Sequence, residues 1–206
     1  MISKIVINKR TYNVLNSHDR ADDFLVIYEC ELEGKAFEAI GVLSTDDKKF
    51  EKKIFKNLVS LFKYLNRSSI GLPKLLAIDK NNQFILREKL VGKSVLQMLG
   101  EGNLEEAVYQ QLFFLFGCAK KMGLNLDYNP KYYIYLENKL IYLGVTFDEY
   151  SEKKDLINDG IMLWYYTTEV VPQLEKIGFK RDQKRLKPRG EQNKEIVLSV
   201  YKYYNL

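Results

Sequence analysis

This chain of 206 residues has little of what builds covalent frameworks or metal centres. Its two cysteines, Cys30 and Cys118, lie far apart in apolar surroundings. No cysteine pattern is present, and both read as reduced core residues, which points to the cytoplasm. The single histidine, His18, stands in a polar segment and reads as solvated rather than catalytic. No apolar run approaches the roughly 18–20 residues that span a bilayer, so no membrane association is expected. The opening MISKIVINKR has neither a long apolar core nor a small-residue cleavage site, so no signal peptide is expected. Internal repeats and low-complexity segments are absent as well.

What is present suits a globular protein: 46% hydrophobic and 29% charged residues, with a net charge of +5 that permits an anionic partner without demanding one. Two β-rich runs, 24–32 and 35–43, flank Glu33-Gly34, a natural tight turn. A helix follows, capped by Asp46 or Asp47, with Phe50, Ile54, Leu58, Leu61, Phe62 and Leu65 at helical spacing. A second strand pair, 75–78 and 84–90, turns through Asp79-Lys80-Asn81-Asn82. After Val91-Gly92 the chain reads as mainly helical. A helix runs from an Asn103 cap to about Lys121, and its middle, LFFLFGCA, is apolar all round and expected to be buried. Two short strands then meet through Glu137-Asn138. From Ser151 onward the pattern is helical, with a break near Pro172 and a basic loop at 180–189.

Several segments, taken in order, resemble the protein-kinase superfamily. Ala39-Ile40-Gly41-Val42-Leu43 resembles the small-lobe strand that usually carries the phosphate-binding lysine. Glu51 sits early in the next helix, where that lysine's partner belongs. GLPKLLAID at 71–79 is similar to the segment after that helix. LREKLVGKSVLQML at 86–99 resembles the hinge and the helix beyond it, and LNLDYNPKYYIYLENKLIYLGV at 124–145 the catalytic loop with its hairpin. The resemblance implies an α+β, two-lobed, protein-kinase-like fold of minimal size. Residues 1–91 would form a β-rich small lobe with one helix, and 92–206 a mostly helical large lobe holding the catalytic-loop-like hairpin.

The same resemblance implies a damaged phosphotransfer site. Phosphoryl transfer needs a cation on the phosphates, metal ligands and a base or orienting group for the acceptor. Gly41 stands at the lysine position, Tyr132 at the metal-binding asparagine and Gly144 at the metal-binding aspartate. The segment NSHDRADD at 16–23, read as a loop, has no glycine to cradle a phosphate. Asp127 remains at the base position, and Glu51, Glu88 and Leu90 stand at positions given to nucleotide contact. The space beside Gly41 is expected to be filled by neighbouring side chains, Phe24 and Tyr132 being the candidates.

The reading that follows is a pseudokinase: a catalytically impaired domain acting as a cytoplasmic binding or regulatory module with a protein partner and no cofactor. A first alternative is a small ATP-dependent phosphotransferase using Asp127 as base, with ATP and magnesium as cofactors. A second is a nucleic-acid-associated protein. It rests on Lys180, Arg181, Lys184, Arg185, Lys187 and Arg189, which crowd into ten residues against one acid, Asp182.

Overall fold

The computed structural model describes residues 2–20, 24–145, 147–187 and 194–204. Contacts divide the chain into two compact units, Met1–Ser68 with Leu72–Val91, and Ser69–Gly71 with Gly92–Leu206.

The first unit is one antiparallel sheet and one helix. Strands β1 (Lys4–Ile7), β2 (Arg10–Arg20), β3 (Leu25–Leu32), β4 (Lys35–Val42), β5 (Leu75–Asp79) and β6 (Phe84–Glu88) lie in the order β1-β2-β3-β4-β6-β5. Two of its hairpins turn through paired residues at positive φ, Asn8-Lys9 (47° and 66°) and Glu33-Gly34 (53° and 74°). Such turns match the right-handed twist of the strands they join. Alternation puts Phe37, Ala39 and Gly41 of β4 on one face and Ile40 on the other. The first face packs on Ile5, Ile7, Tyr12, Val26, Tyr28, Cys30 and Leu86, a cluster made of strand residues alone. On the other face Ile40 and Ile85 are fully buried, and α1 (Lys48–Leu65) packs against β4. Within the sheet Arg87 is 1% exposed and reaches Glu38 across the strand pair with Nε at 2.8 Å and a terminal nitrogen at 2.7 Å.

The sheet curls until its two outer strands meet. Asp79, at the end of β5, is 4% exposed. One carboxylate oxygen accepts the backbone N–H of Asn8 at 2.7 Å and the Asn82 side-chain amide at 3.0 Å. The other accepts the N–H groups of Asn81 and Asn82, both at 3.0 Å. Asn82 also donates its amide to the Val6 carbonyl of β1 at 3.2 Å. Burial alone would raise the Asp79 pKa, but these donors outweigh it and hold the carboxyl below its ordinary value.

The second unit interleaves helices with hairpins. Its helices are α2 (Val95–Glu101), α3 (Glu106–Lys121), α4 (Val171–Lys176) and α5 (Lys194–Tyr204). Strand β7 (Leu124–Leu126) pairs with β10 (Phe147–Glu149), and β8 (Tyr133–Leu136) with β9 (Lys139–Tyr142). Around fully buried Tyr133 lie the rings of Phe116, Tyr142 and Trp164, with centroids 4.9–6.2 Å away. Among the described residues no helix is long and apolar enough to cross a membrane.

The architecture corrects the two-lobed protein-kinase-like fold. The resemblance supplied two strand pairs for the first unit, whereas the sheet has six strands and closes on itself through Asp79. Residues 16–20, read as loop, belong to the long strand β2 and pair with β3, while 21–23 lie outside the described residues. The second unit is not mostly helical: between Ser151 and Val170 the backbone makes short 3-10 and π turns instead of long helices. Side-chain bonds to backbone set those turns, such as Trp164 Nε1 to the Tyr128 carbonyl at 2.7 Å and Thr167 Oγ1 to the Met162 carbonyl at 2.7 Å. Pro172 lies in the first turn of α4 and starts a helix rather than breaking one. Phe114, in the stretch of α3 expected to be buried all round, is 55% exposed.

Asp79→Asn keeps the shape of the side chain but cannot accept all four bonds. We expect it to destabilise the first unit by about 1–3 kcal/mol in urea denaturation at pH 7. Because the folded pKa is lowered, the stabilisation is complete above the unfolded value near 4 and is lost as the pH falls toward the folded one. The acid-side loss of stability should therefore be smaller in Asp79→Asn than in the wild type.

Candidate functional site

The segment after β7 contains Asp127, and three of its groups are hydrogen-bonded to neighbours. Its carboxylate accepts the Asn129 N–H at 2.9 Å, closing a tight turn. Its carbonyl accepts the Tyr133 hydroxyl at 2.5 Å, and its N–H donates to the Tyr142 hydroxyl at 3.2 Å. Asn129 then caps the short 3-10 turn Pro130–Tyr132 by accepting the Lys131 N–H at 3.1 Å. The loop is thus held from below by two buried tyrosines and from within by two consecutive side-chain turns. Burial pushes the Tyr133 phenol well above its ordinary pKa, so it remains a donor at any physiological pH.

Gly144 lies beside the same tyrosine. A Cβ built there would stand 2.1 Å from the Tyr142 hydroxyl and ring. The position read as that of a lost metal-binding aspartate has no room for any side chain while Tyr142 holds Asp127. Tyr132 is half-buried, with Lys131 Nζ 4.6 Å from the centre of its ring. Among the described residues no group of three His, Cys, Asp or Glu side chains is placed to hold a metal ion.

The residues singled out in the first unit are not brought together either. Gly41 faces the strand cluster, on the side of β4 away from α1, and a Cβ there would meet the Phe84 ring at 2.6 Å. Phe84 fills the space beside this glycine. Phe24 instead packs edge-on against Phe50, with centroids 5.1 Å apart. Glu51 is 6% exposed. It bends back to accept the Thr45 N–H and lies 2.9 Å and 3.2 Å from Lys48 Nζ through its two oxygens. The Thr45 bond, followed by the lysine, holds its pKa below the ordinary value. The buried stripe of α1 is consequently Glu51, Phe55, Leu58, Val59, Phe62 and Leu65, while Phe50 is 38% exposed. Glu88 accepts the Lys74 N–H at 2.7 Å and ties down the start of β5, and Leu90 is half-buried just beyond β6.

The basic segment divides by role. Arg185 donates to the Gly100 and Leu99 carbonyls at 2.7 Å and 2.5 Å, and its guanidinium lies 4.4 Å from the centre of the Tyr166 ring. It closes the C-terminal end of α2, where the exposed carbonyls and the helix dipole favour a cation. Lys187 pairs with Glu195 of α5. Lys180, Arg181 and Lys184 are exposed, with no ion pair among the described residues. Arg189 lies outside the described residues.

No protein-family model and no curated protein matches the chain. Among solved structures it is similar to WbdD, whose 2.2 Å crystal structure aligns at 14% identity with a TM-score of 0.48. The alignment covers 88% of this chain and 41% of WbdD, so this chain spans less than half of that protein's length. A likeness this slight lends neither a fold nor an activity, and it does not restore the kinase-type architecture.

The sequence reading missed Tyr133, Tyr142 and Trp164, which organise the surroundings of Asp127, and it gave Arg185 to an anion where the structure gives it to the end of α2. Arg185→Ala should destabilise the second unit by about 1.5–3 kcal/mol, the scale of hydrogen bonds made by a charged group. Arg181→Ala should change stability by less than about 0.5 kcal/mol. Urea denaturation of the two variants checks the contrast.

Proposed function

We propose that this protein is a non-catalytic binding or regulatory module, cytoplasmic, acting on a protein partner and needing no nucleotide or metal. The observation that carries this reading is the engagement of Asp127: its N–H, its carbonyl and its carboxylate all serve the loop that contains it. These bonds give Asp127 a structural reason to be present that needs no substrate. Filled space at Gly144 and Gly41 argues the same way, since a side chain added at either must displace an aromatic ring. Two free cysteines, one buried, agree with a reducing compartment. The Cys30 thiol is pushed up to about 11 by burial and by Glu38, which leaves it unreactive at neutral pH. A protein partner is favoured by α5, which exposes Val197, Leu198 and Tyr201 on one short helix.

The rival reading, a small ATP-dependent phosphotransferase with Asp127 as base, makes opposite demands on one residue. As a structural group, Asp127 can be replaced by asparagine with a loss of about 1 kcal/mol, because one acceptor oxygen survives; alanine costs more. As a base, it cannot be replaced by asparagine without abolishing turnover. We expect no transfer from labelled ATP by wild type, Asp127→Asn or Asp127→Ala, no magnesium-dependent rise in melting temperature with ATP, and a melting order of wild type, asparagine, alanine. Transfer by the wild type that disappears in Asp127→Asn would establish the enzyme. Salt-sensitive RNA binding lost in a Lys180, Arg181 and Lys184 triple alanine variant would establish the nucleic-acid reading instead.

A further inference from the structure

We propose that the first unit binds a small apolar carboxylic acid in the open mouth of its curled sheet, with Arg10 and Tyr12 holding the carboxylate. The mouth is a cavity of about 500 Å³ between the β1–β2 hairpin and the β5–β6 pair. That volume lies in the range of small-molecule sites, which are mostly apolar with a few convergent polar groups. Its walls fit that description: Ile7 on one side, Leu76 and Ala77 on the other, and Leu32, Phe37 and Leu86 between them.

Three features point to a ligand rather than to an accident of curling. The first is a β-bulge between Leu75 and Ala77. It breaks the alternation of β5, so that the consecutive residues Leu76 and Ala77 both line the cavity, and Leu76 remains 41% exposed there. The second is Tyr12. Most of the residue is buried, it lines the cavity, and its hydroxyl makes no hydrogen bond within the described residues and is not sealed from solvent. Its ring is fixed by an edge-on contact with Phe37, centroids 5.7 Å apart. The hydroxyl is therefore open to the cavity, where a ligand oxygen can take the place of water as its partner. The third is Arg10, also on the cavity wall, exposed and without an ion pair among the described residues. Two residues apart on β2, Arg10 and Tyr12 share one face of the strand, and the positive charge opposes the rise that burial imposes on the phenol pKa.

A cation that forks onto oxygens, a phenol that donates beside it, and an otherwise apolar wall select a single carboxylate on a hydrocarbon body. A nucleotide fits poorly, since its phosphates would find one cation and its sugar few polar partners. The site does not depend on whether the protein transfers phosphate: every residue in it belongs to the first unit, and none of them is a residue of the Asp127 loop.

The test uses the full chain and decanoate below its micelle concentration, with decan-1-ol as the uncharged control. Titration calorimetry should give saturable one-to-one binding of decanoate, with decan-1-ol at least about tenfold weaker. Arg10→Gln should weaken decanoate about tenfold or more, and Tyr12→Phe several-fold, while both variants melt like the wild type without ligand. Amide shifts on titration should concentrate at Ile7, Arg10, Leu32 and Leu76. No saturable binding, equal affinity for the alcohol, unchanged affinity in Arg10→Gln, or shifts centred elsewhere would each overturn the proposal. Phosphate transfer assayed on the same samples keeps its outcome separate from that of the functional reading above.

Discussion

The first unit depends on one carboxylate being buried without being stranded. An aspartate removed from water must find donors, and Asp79 finds four, from its own turn and from the turn at the far edge of the sheet. The consequence is topological. A six-stranded antiparallel sheet has two outer strands, here β1 and β5, each with a row of backbone groups open to any other chain. Joining the Asn8 turn to the Asp79 turn fixes those edges to each other at one end. It also sets Ile7 and Tyr12 opposite Leu76 and Leu86, so the same bond that closes the sheet shapes the cavity beside it.

The second unit solves a related problem with aromatic residues. Tyr133, Tyr142 and Trp164 are fully buried, and each carries a polar tip that must be satisfied. Each tip bonds to the backbone of residues 127 and 128: Tyr133 to the Asp127 carbonyl, Tyr142 to the Asp127 N–H, and Trp164 to the Tyr128 carbonyl. Tyr109 then holds the Trp164 carbonyl at 2.9 Å. The loop that resembles a catalytic loop is thereby the point where the aromatic core discharges its hydrogen bonds. Its rigidity follows from packing and needs no substrate.

Local features were legible in the sequence wherever one residue type meets one backbone demand. Glu33-Gly34 and Glu137-Asn138 turn their hairpins, and Asp47 caps α1 by accepting from Lys49 and Phe50. Strands β1 and β2 were hard to read because β1 is only four residues long and exposes Val6, while β2 exposes Leu15 among polar and charged neighbours, so apolar residues do not mark one buried face. The phase of α1 was misread by a residue or so because Glu51 turns inward on a backbone N–H, which a hydrophobic pattern cannot register. The fold was misread for a different reason. An order of elements and a few short motifs constrain neighbours along the chain, but strand number, sheet closure and helix content depend on long-range bonds such as those of Asp79.

The candidate site carries the same lesson in its charged residues. Asp127, Glu51, Arg185 and Arg10 are of the types from which active sites are made, and type alone ranks them equally. Their partners separate them. Asp127 is committed to Asn129, Glu51 to Thr45 and Lys48, and Arg185 to the carbonyls that end α2. Each of these bonds gives its residue a role in the fold itself. Arg10 has no such commitment among the described residues, and two positions along the same strand Tyr12 lines the same cavity. Residue type proposes and the partners of each group decide: a charge already spent on its own backbone serves the fold, whereas one left facing an apolar cavity is available to a molecule that enters it.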